Sequence, residues 1–245
     1  MKNRTILLCL ICIAVSSVSA FGITGEEILK KVDRNMQPQS YEMYKKLINV
    51  EPDGKKKEFT LYMAKKGNNK IIALFIAPES EKGRATLRLG DNMWLHIPNV
   101  GKPVRITSLQ SVVGGVFNNS DIMQLDFSFE YKVDKMTEGK TEYTLHLKAK
   151  NTSVAYDRLE MTVDKKDMIP IKIECYTATK MLIKTLYYKE KKDFGDGVVR
   201  PSVMETDSPL HKGYKSIMIF ARVKKRDFSD EVFTLNYLPR VGDLR

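Results

Sequence analysis

Residues 141–150, TEYTLHLKAK, alternate apolar and polar side chains with a period of two. Successive side chains of a β-strand point to opposite faces, so this segment predicts a strand with one apolar face. The apolar face carries Tyr143, Leu145, Leu147 and Ala149. The same alternation returns at Leu159–Val163, Ile169–Cys175 and Ile217–Val223. The chain is therefore predicted to be mainly β.

Short turn signals separate the predicted strands, and short connections favour antiparallel pairing. They include Pro52-Asp53-Gly54, Lys66-Gly67-Asn68-Asn69, Leu89-Gly90-Asp91-Asn92, Asp164-Lys165-Lys166-Asp167 and Gly195-Asp196-Gly197. We expect ten to twelve strands in one curved sheet, because an apolar face must curl over something or pack on another layer. The sequence shows no linker and no internal repeat, so residues 21–245 are predicted to form a single domain.

One helix is predicted near the start of this domain, at about residues 24–36. Thr24 and Glu27 have the spacing of a capping box, in which each side chain bonds the backbone of the other residue. Apolar residues follow at helical spacing: Ile28, Leu29, Val32 and Met36. Pro38 lies just past the last of them, as is common after a helix. We expect this helix to lie against the concave side of the sheet.

The first twenty residues predict a secretory signal peptide. Lys2 and Arg4 precede an apolar run that ends in Val18-Ser19-Ala20, which predicts cleavage after Ala20. An uncleaved anchor helix is the alternative, although the run is shorter than a membrane span requires. Cleavage lowers the net charge from +11 to +9 by removing two basic residues. A periplasmic location excludes nucleic acid as the partner of this charge and favours anionic lipid headgroups or an acidic protein.

Catalytic and metal-binding residues are not indicated by the sequence, and no cofactor is predicted. His96, His146 and His211 are far apart, and none has a neighbour at metal-ligand spacing. Cys175 is the one cysteine after residue 20 and alternates with isoleucines, which favours a buried, unreactive thiol over a nucleophile. The G-x-S-x-G motif, which surrounds the nucleophilic serine of α/β-hydrolases, is absent from the sequence. We therefore predict a protein that is not an enzyme.

Residues 107–123 interrupt the strand pattern. The segment is apolar, but Gly114 and Gly115 exclude a long helix through it. Asn118-Asn119-Ser120-Asp121 could turn or cap a short second helix. One interpretation is a mobile cover over a cavity, hinged at Gly114 and Gly115. The other is a packed connection between two strands.

The stretch Leu61–Ile106 resembles the outer-membrane lipoprotein-sorting proteins, a family that includes the periplasmic carriers of the LolA type. The similarity rests on the order of strands and turns and on a few short motifs. These are Lys82-Gly83 with Leu87, Met93-Trp94-Leu95-His96-Ile97-Pro98, Gly114-Gly115 with Asp121, Tyr187-Tyr188 and Phe233-Thr234-Leu235-Asn236. The resemblance covers most of residues 21–245.

The resemblance implies an unclosed, strongly curved antiparallel sheet, similar to a barrel, with an N-terminal helix and short helices covering an apolar hollow. In the family this hollow holds the acyl chains of a lipoprotein or another lipid. The family pattern has an Arg followed by Pro at the basic turn after the second strand. This chain has Lys65-Lys66-Gly67 there, and a lysine does not reproduce the planar fork of a guanidinium.

Candidate lipid-binding residues are the apolar side chains expected to face the hollow, of which Phe127 and Phe129 are expected on strands. Ordinary core packing is the alternative role for each. The candidates are Leu74, Ile76, Trp94, Ile97, Val113, Phe117, Met123, Phe127, Phe129 and Met161.

Four basic clusters fall at predicted strand ends or turns. They are Lys55-Lys56-Lys57, Lys65-Lys66, Lys189 with Lys191-Lys192, and Lys224-Lys225-Arg226. Such clusters usually form solvated turns that discourage edge-to-edge pairing. Two clusters on one rim could dock the protein on a membrane, and Lys65 and Lys66 are the candidates for contact with a membrane or partner.

The leading functional hypothesis is a periplasmic carrier that moves acylated lipoproteins or lipids toward the outer membrane. An acyl chain of about 16 carbons is worth roughly 12 kcal/mol of burial, so a carrier needs a wide, partly empty apolar hollow. An inner-membrane transporter and an outer-membrane acceptor would then be its partners. The alternative is a lipid-sensing or accessory binding subunit of an envelope export or stress-response system.

Overall fold

The computed structural model describes residues 22–245, and the predicted signal peptide lies outside them. Thirteen strands, three α-helices and two short 3-10 helices follow one another along these residues. The strands are β1 Ser40–Val50, β2 Lys56–Lys66, β3 Lys70–Ala77, β4 Ala85–Leu89, β5 Asn92–His96, β6 Val104–Ile106, β7 Tyr131–Glu138, β8 Glu142–Ala149, β9 Arg158–Asp164, β10 Pro170–Tyr176, β11 Leu182–Asp193, β12 Val199–Asp207 and β13 Lys215–Lys225. The α-helices are α1 Gly25–Met36, α2 Asn119–Ile122 and α3 Phe127–Glu130, and the 3-10 helices are Asp230–Phe233 and Leu238–Leu244.

All thirteen strands belong to one antiparallel sheet. Its order is β6-β5-β4-β3-β2-β1-β13-β12-β11-β10-β9-β8-β7, so the first strand pairs with the last and the sheet stays open between β6 and β7. Every neighbouring pair is antiparallel, as the short turns predicted. The predicted fold class, a mainly β protein built on one unclosed antiparallel sheet, is confirmed.

Helix α1 begins where the capping box predicts. The Thr24 backbone N–H donates to the Glu27 carboxylate at 2.8 Å, and the Thr24 hydroxyl accepts from the Glu27 backbone N–H at 3.3 Å. The apolar face of the helix is fully buried, through Ile28, Leu29, Val32 and Met36. This face packs on one side of the sheet, because an amphipathic helix of three turns gains its stability from such a contact.

Two apolar clusters cover the two faces of the sheet. The larger one, here called the inner core, lies between the sheet, α1 and residues 112–133. The smaller one, here called the outer cluster, lies on the other face of β2–β5 and is closed by the C-terminal residues 228–244. Strands β2–β4 are therefore buried on both faces, which explains their nearly continuous apolar sequence. No helix in residues 22–245 has the length and apolar character that crossing a bilayer requires.

Strand β3 shows which side chains face inward. Ile71 and Phe75 belong to the inner core, whereas Ile72 and Leu74 belong to the outer cluster. Ile76 and Trp94 also pack against the outer cluster. The prediction that Leu74, Ile76 and Trp94 line the hollow is therefore wrong. A strand that is apolar on both faces carries no periodic signal to tell one face from the other.

Candidate lipid-binding hollow and its cover

The concave face of the sheet is covered by residues 107–130, here called the cover segment. Its apolar side chains enter the inner core between α1 and the sheet. Those buried there are Val112, Phe117, Ile122, Met123, Leu125 and Phe127. The sheet supplies the opposite wall, in which Met161 of β9 and Ile173 of β10 are fully buried. The segment is thus an apolar plug: the side chains that it buries are apolar, and so is the sheet surface that they cover.

The first part of the cover segment is a small hairpin. Ser111 and Asn118 form a β-bridge, and the Gly115 N–H donates to the Val112 carbonyl at 3.1 Å. Val113 and Gly114 both have positive φ angles, 48° and 73°, which is the pattern of a type I′ turn. The proposed hinge glycines therefore form one side of a defined turn in this conformation.

Gly115 fits closely against strand β1. A Cβ at this position would lie 2.2 Å from the Asn49 side-chain oxygen, so no larger residue fits without movement. The Ser216 hydroxyl donates to that oxygen at 2.8 Å and accepts from the Val116 N–H at 2.9 Å. Asn49 and Ser216 thus anchor the hairpin to β1 and β13. Gly114, by contrast, faces open space.

The second part of the cover segment contains two single-turn helices. Asn118 caps α2 in a reciprocal pair with Asp121, as its residue type predicted. Phe127 and Phe129 lie in α3, so their predicted placement on a strand is wrong. The carboxylate of Asp33 on α1 accepts from the Phe127 and Ser128 N–H groups at 2.6 and 2.9 Å. This long-range contact stabilises a helical turn that the local sequence does not specify.

Four buried cations, here called the latch residues, bond the cover segment to the sheet. Lys45 donates to the Ile122 carbonyl at 2.7 Å, and Lys65 pairs with Asp126 at 2.7 Å. Arg88 donates to the Met123 carbonyl at 2.9 Å and also pairs with Glu130, while Lys184 pairs with Asp121 at 2.9 Å. Each latch residue is at most 6% exposed. An apolar plug is therefore held in place by polar contacts at its edges.

Lys45, Arg88 and Lys184 were not among the sequence-predicted site residues. Lys45 had a detectable signal, because it occupies an inward position of β1 between the buried Met43 and Leu47. A lysine in an apolar register predicts a buried partner, since an unpaired buried charge is costly. Lys65 was predicted to contact a membrane or partner, and its 1% exposure makes that prediction wrong. Lys66 is partly exposed and pairs with Asp230 at 2.9 Å.

Burial shifts the pKa of several groups around the cover segment. It lowers the pKa of the Lys45 ammonium to about 7, because Lys45 has no bonded carboxylate among the described residues and Arg200 lies nearby. It raises the pKa of Asp33 to about 6, outweighing the N–H groups that favour the anion. The Glu130 pKa is also raised by burial, although Arg88 opposes the shift. Burial therefore disfavours the charged forms of Lys45, Asp33 and Glu130.

The space beneath α2 and α3 is nearly filled. A cavity of about 30 Å³ remains there, enough for one or two water molecules. Its lining includes Asp121, Phe127, Tyr156, Cys175 and Met204. No described cavity in the inner core holds an acyl chain, so the expectation of a partly empty hollow is wrong for this conformation. The side chains of α1 and the cover segment occupy that volume.

The remaining candidate residues separate into three groups. Phe117, Met123, Phe127 and Met161 are buried in the inner core, and Val113 and Phe129 pack against it with partial exposure. Ile97 is 39% exposed at the β5–β6 turn, outside the hollow, so its predicted position is wrong. Cys175 is fully buried, and burial raises the pKa of its thiol well above the ordinary value, as expected for an unreactive cysteine.

Known proteins share this architecture. A LolA superfamily protein from Nitrosomonas europaea is 28% identical, with a TM-score of 0.80 over 88% of this chain and 100% of that one. A family model described only as an uncharacterized protein matches residues 67–240, well over half of the chain. The chain belongs to the family of this model, and it shares the fold of the LolA superfamily protein.

Two further solved structures share the LolA-like fold at lower identity. A putative outer membrane lipoprotein-sorting protein domain from Vibrio parahaemolyticus is 18% identical, with a TM-score of 0.74 over 88% of this chain and 98% of that one. A DUF1329 family protein from Desulfovibrio piger is 19% identical, with a TM-score of 0.75 over 87% and 97%. No curated protein matches the LolA-like chain in sequence. The resemblance drawn from the sequence is confirmed.

Proposed function

We propose that this LolA-like protein is a periplasmic carrier that binds acyl chains of lipoproteins or lipids and moves them toward the outer membrane. The observation that carries the proposal is the cover segment: an apolar plug held to an open apolar sheet by buried polar contacts. Binding, and no catalysis, is the activity that this arrangement supports.

Exchange between plug and ligand gives the proposed mechanism its energetic basis. Burying an acyl chain of about 16 carbons is worth roughly 12 kcal/mol, and a water-filled hollow of that size would be costly to maintain. In the closed state, Phe117, Met123 and Phe127 cover the apolar wall. An entering acyl chain would take their place, so the wall stays dry throughout. The free energy of opening is then mainly that of breaking the latch contacts and of exposing the apolar surface of the plug.

The proposed location and partners follow from this role. The sequence signal in residues 1–20 supports export to the periplasm with cleavage near Ala20. A carrier there would receive its lipid from an inner-membrane transporter and deliver it to an outer-membrane acceptor. An acylated lipoprotein or a free lipid is the ligand class that the apolar hollow suits.

A second candidate function is lipid sensing or an accessory binding role without transport. The observation in its favour is the small residual cavity of about 30 Å³, because a sensor needs the closed state to dominate when no lipid is present. Such a protein would bind lipid and change its contacts with a partner, but it would not release lipid into a second membrane.

Two measurements separate these functions. Native mass spectrometry of protein extracted without detergent tests for bound acyl species, and a fluorescent acyl lipid reports transfer between two vesicle populations. A carrier is expected to give both signals, whereas a sensor gives bound lipid without transfer. Absence of bound lipid together with absence of transfer would contradict both functions.

A matched pair of variants ties the signal to the inner core. Met161→Ala and Leu87→Ala each shorten a fully buried side chain, Met161 in the inner core and Leu87 in the outer cluster. Both lose stability, because each leaves a cavity. Only Met161→Ala is expected to change the bound acyl species or the transfer rate. Equal effects of the two variants on lipid binding would place the ligand outside the inner core.

A further inference from the structure

Several turns of the antiparallel sheet lie at the same strand ends as the hairpin of the cover segment. They are the β12–β13 turn at 208–214, the β1–β2 turn at 51–55, the β3–β4 turn at 78–84 and the β5–β6 turn at 97–103. We name them together the hairpin rim. A Cβ on Gly213 would lie 3.1 Å from Pro52, and one on Gly83 would lie 2.8 Å from Pro98, so neighbouring turns touch.

The hairpin of the cover segment opens onto this rim. Asn49 and Ser216, which anchor the hairpin, are at the ends of β1 and β13 that lead into the rim turns. Val113, at the tip of the hairpin, lines a surface groove of about 560 Å³ together with residues of β2 and the β3–β4 turn. The rim therefore adjoins the tip of the hairpin that covers the hollow.

The hairpin rim exposes an unusual share of apolar side chains. Of the ten large apolar side chains that are most exposed in residues 22–245, five lie on this rim or at the strand positions that flank it. They form two tips. One carries Ile97, Val100 and Val104, of which Val100 is 68% exposed, and the other carries Leu210 and Tyr214. An isolated exposed apolar residue is ordinary, but several of them on the turns of one rim indicate an interaction surface.

Exposed lysines without a carboxylate partner accompany these tips. Lys102 lies on the first tip and Lys212 on the second, and neither forms an ion pair within the described residues. The same holds for Lys55 in the β1–β2 turn and Lys215 at the start of β13. In contrast, Glu51, Glu79 and Glu81 near the rim each pair with a basic side chain. Asp53 is the one acidic residue of these four turns without an ion pair, so the uncompensated charge of the rim is positive.

The basic clusters at the opposite strand ends are paired to a larger extent, although Lys192, Lys224 and Lys225 form no ion pair within the described residues. Lys189, Lys191 and Arg226 pair with Glu205, Asp167 and Glu42, and Lys65 is buried against Asp126. The large apolar side chain exposed beside them is Val199. Of the four basic clusters in the sequence, Lys55-Lys56-Lys57 therefore lies at the rim, and the other three lie at the opposite strand ends, where five of eight charges are paired.

We propose that the hairpin rim docks on the interface of a bilayer that contains anionic lipid. Apolar side chains on turn tips would enter the headgroup region, and the unpaired lysines would lie at the level of the phosphates. Docking in this orientation brings the hairpin of the cover segment to the membrane surface, where an acyl chain enters or leaves. The docking itself does not depend on the proposed carrier function, because it can be measured without acyl transfer.

Vesicle flotation of the purified protein tests the proposal. Vesicles of phosphatidylcholine with about 30% phosphatidylglycerol are compared with pure phosphatidylcholine, at low and at high salt. We expect binding to the anionic vesicles that weakens with salt, because the lysine contribution is electrostatic. Absence of preference for the anionic vesicles would overturn the proposal.

Charge and apolar variants locate the surface. The double variant Lys102→Glu with Lys212→Glu is expected to weaken binding at least about tenfold, from roughly 1 kcal/mol for each charge near the surface. The control is Lys140→Glu with Lys166→Glu, two exposed lysines at the opposite strand ends. Val100→Ser with Leu210→Ser has its control in Val199→Ser with Leu235→Ser. Equal losses in rim and control variants would leave only a general attraction of the basic chain.

A spectroscopic probe reports insertion directly. Val100→Trp places an indole at the exposed tip, in a background where Trp94 is replaced by Phe. We expect quenching of this indole by brominated lipid in anionic vesicles. Leu235→Trp in the same background serves as the control and is expected to stay unquenched. An unquenched probe at position 100, with binding retained, would move the docking surface elsewhere.

Discussion

The ammonium of Lys65 lies 2.7 Å from the carboxylate of Asp126, and both residues are buried. Lys65 stands at the end of β2, and Asp126 stands just before α3 in the cover segment. The pair therefore joins the sheet to its plug across 61 residues of sequence. A buried pair is a poor source of net stability, but removal of one partner leaves a charge that water cannot solvate.

The first prediction concerns this asymmetry. Asp126→Ala is expected to destabilise the protein by about 3–5 kcal/mol, because Lys65 then stays buried without a partner. Lys65→Met with Asp126→Leu is expected to recover most of that loss, since both charges are gone. Urea unfolding measures the change in free energy of unfolding. Equal destabilisation by the single and the double variant would contradict this account of the pair.

Opening of the cover segment has a separate readout. In Asp126→Ala, hydrogen exchange is expected to increase in residues 107–130 more than in strands β8 and β9. The reason is that local opening needs only the latch contacts and the plug surface, whereas strand exchange needs wider unfolding. A uniform increase over the whole chain would show that the cover segment does not open as a unit.

The second prediction distinguishes the two glycines of the hairpin. Gly115→Ala is expected to displace the hairpin, because the new Cβ would collide with the Asn49 side chain. Gly114→Ala has space and costs only the strain of a left-handed residue, about 1 kcal/mol. If the pair acts as the hinge, the double variant also slows acyl uptake or release. Unchanged transfer kinetics in the double variant would remove the hinge hypothesis.

The third prediction concerns Lys45 and alkaline pH. Its pKa falls to about 7 in the folded protein, against 10.5 as the ordinary value. Between these values the unfolded chain binds more protons, so the free energy of unfolding is expected to rise from pH 7 toward pH 10. Lys45→Met should flatten this rise. The measurement is urea unfolding at both pH values, and an unchanged slope in the variant would assign the rise to other groups.

The fourth prediction concerns Asp33 and acidic pH. Its pKa rises to about 6 in the folded protein, against 3.8 as the ordinary value. The folded protein binds the extra proton between these values, so the Asp33 contribution to stability is full below pH 3.8 and is lost as the pH rises through 6. Asp33→Asn keeps an oxygen that can accept from the Phe127 or Ser128 N–H and removes this titration. Urea unfolding at pH 4.5 and 7 is expected to show a smaller difference for the variant.

The fourth prediction has its own check on structure. Asp33→Ala removes both acceptors for the α3 N–H groups and is expected to cost stability at either pH. If Asp33→Ala and Asp33→Asn behave alike at pH 7, an acceptor oxygen at position 33 does not stabilise α3. The predicted pH dependence and the predicted capping of α3 can therefore be contradicted separately.

Local sequence patterns determined helix α1 and strands such as β8. The alternation in residues 141–150 requires only that neighbouring side chains of a strand face opposite ways, and β8 follows it. The capping box of Thr24 and Glu27 places the start of α1 for the same reason, because both partners lie within one turn. The short turns between strands then favoured antiparallel pairing, because parallel strands need longer connections. The family resemblance added the openness of the sheet.

Only the tertiary structure decided the site. Whether Leu74 or Phe75 faces the hollow depends on how the sheet curls, and β3 is apolar on both faces. The α3 turn that contains Phe127 and Phe129 is helical because Asp33, more than ninety residues earlier, accepts from the Phe127 and Ser128 N–H groups. The latch residues meet partners that are 35 to 77 residues away in sequence. Propensity and periodicity act over a few residues, whereas burial and charge pairing act between whichever segments the folded sheet brings together.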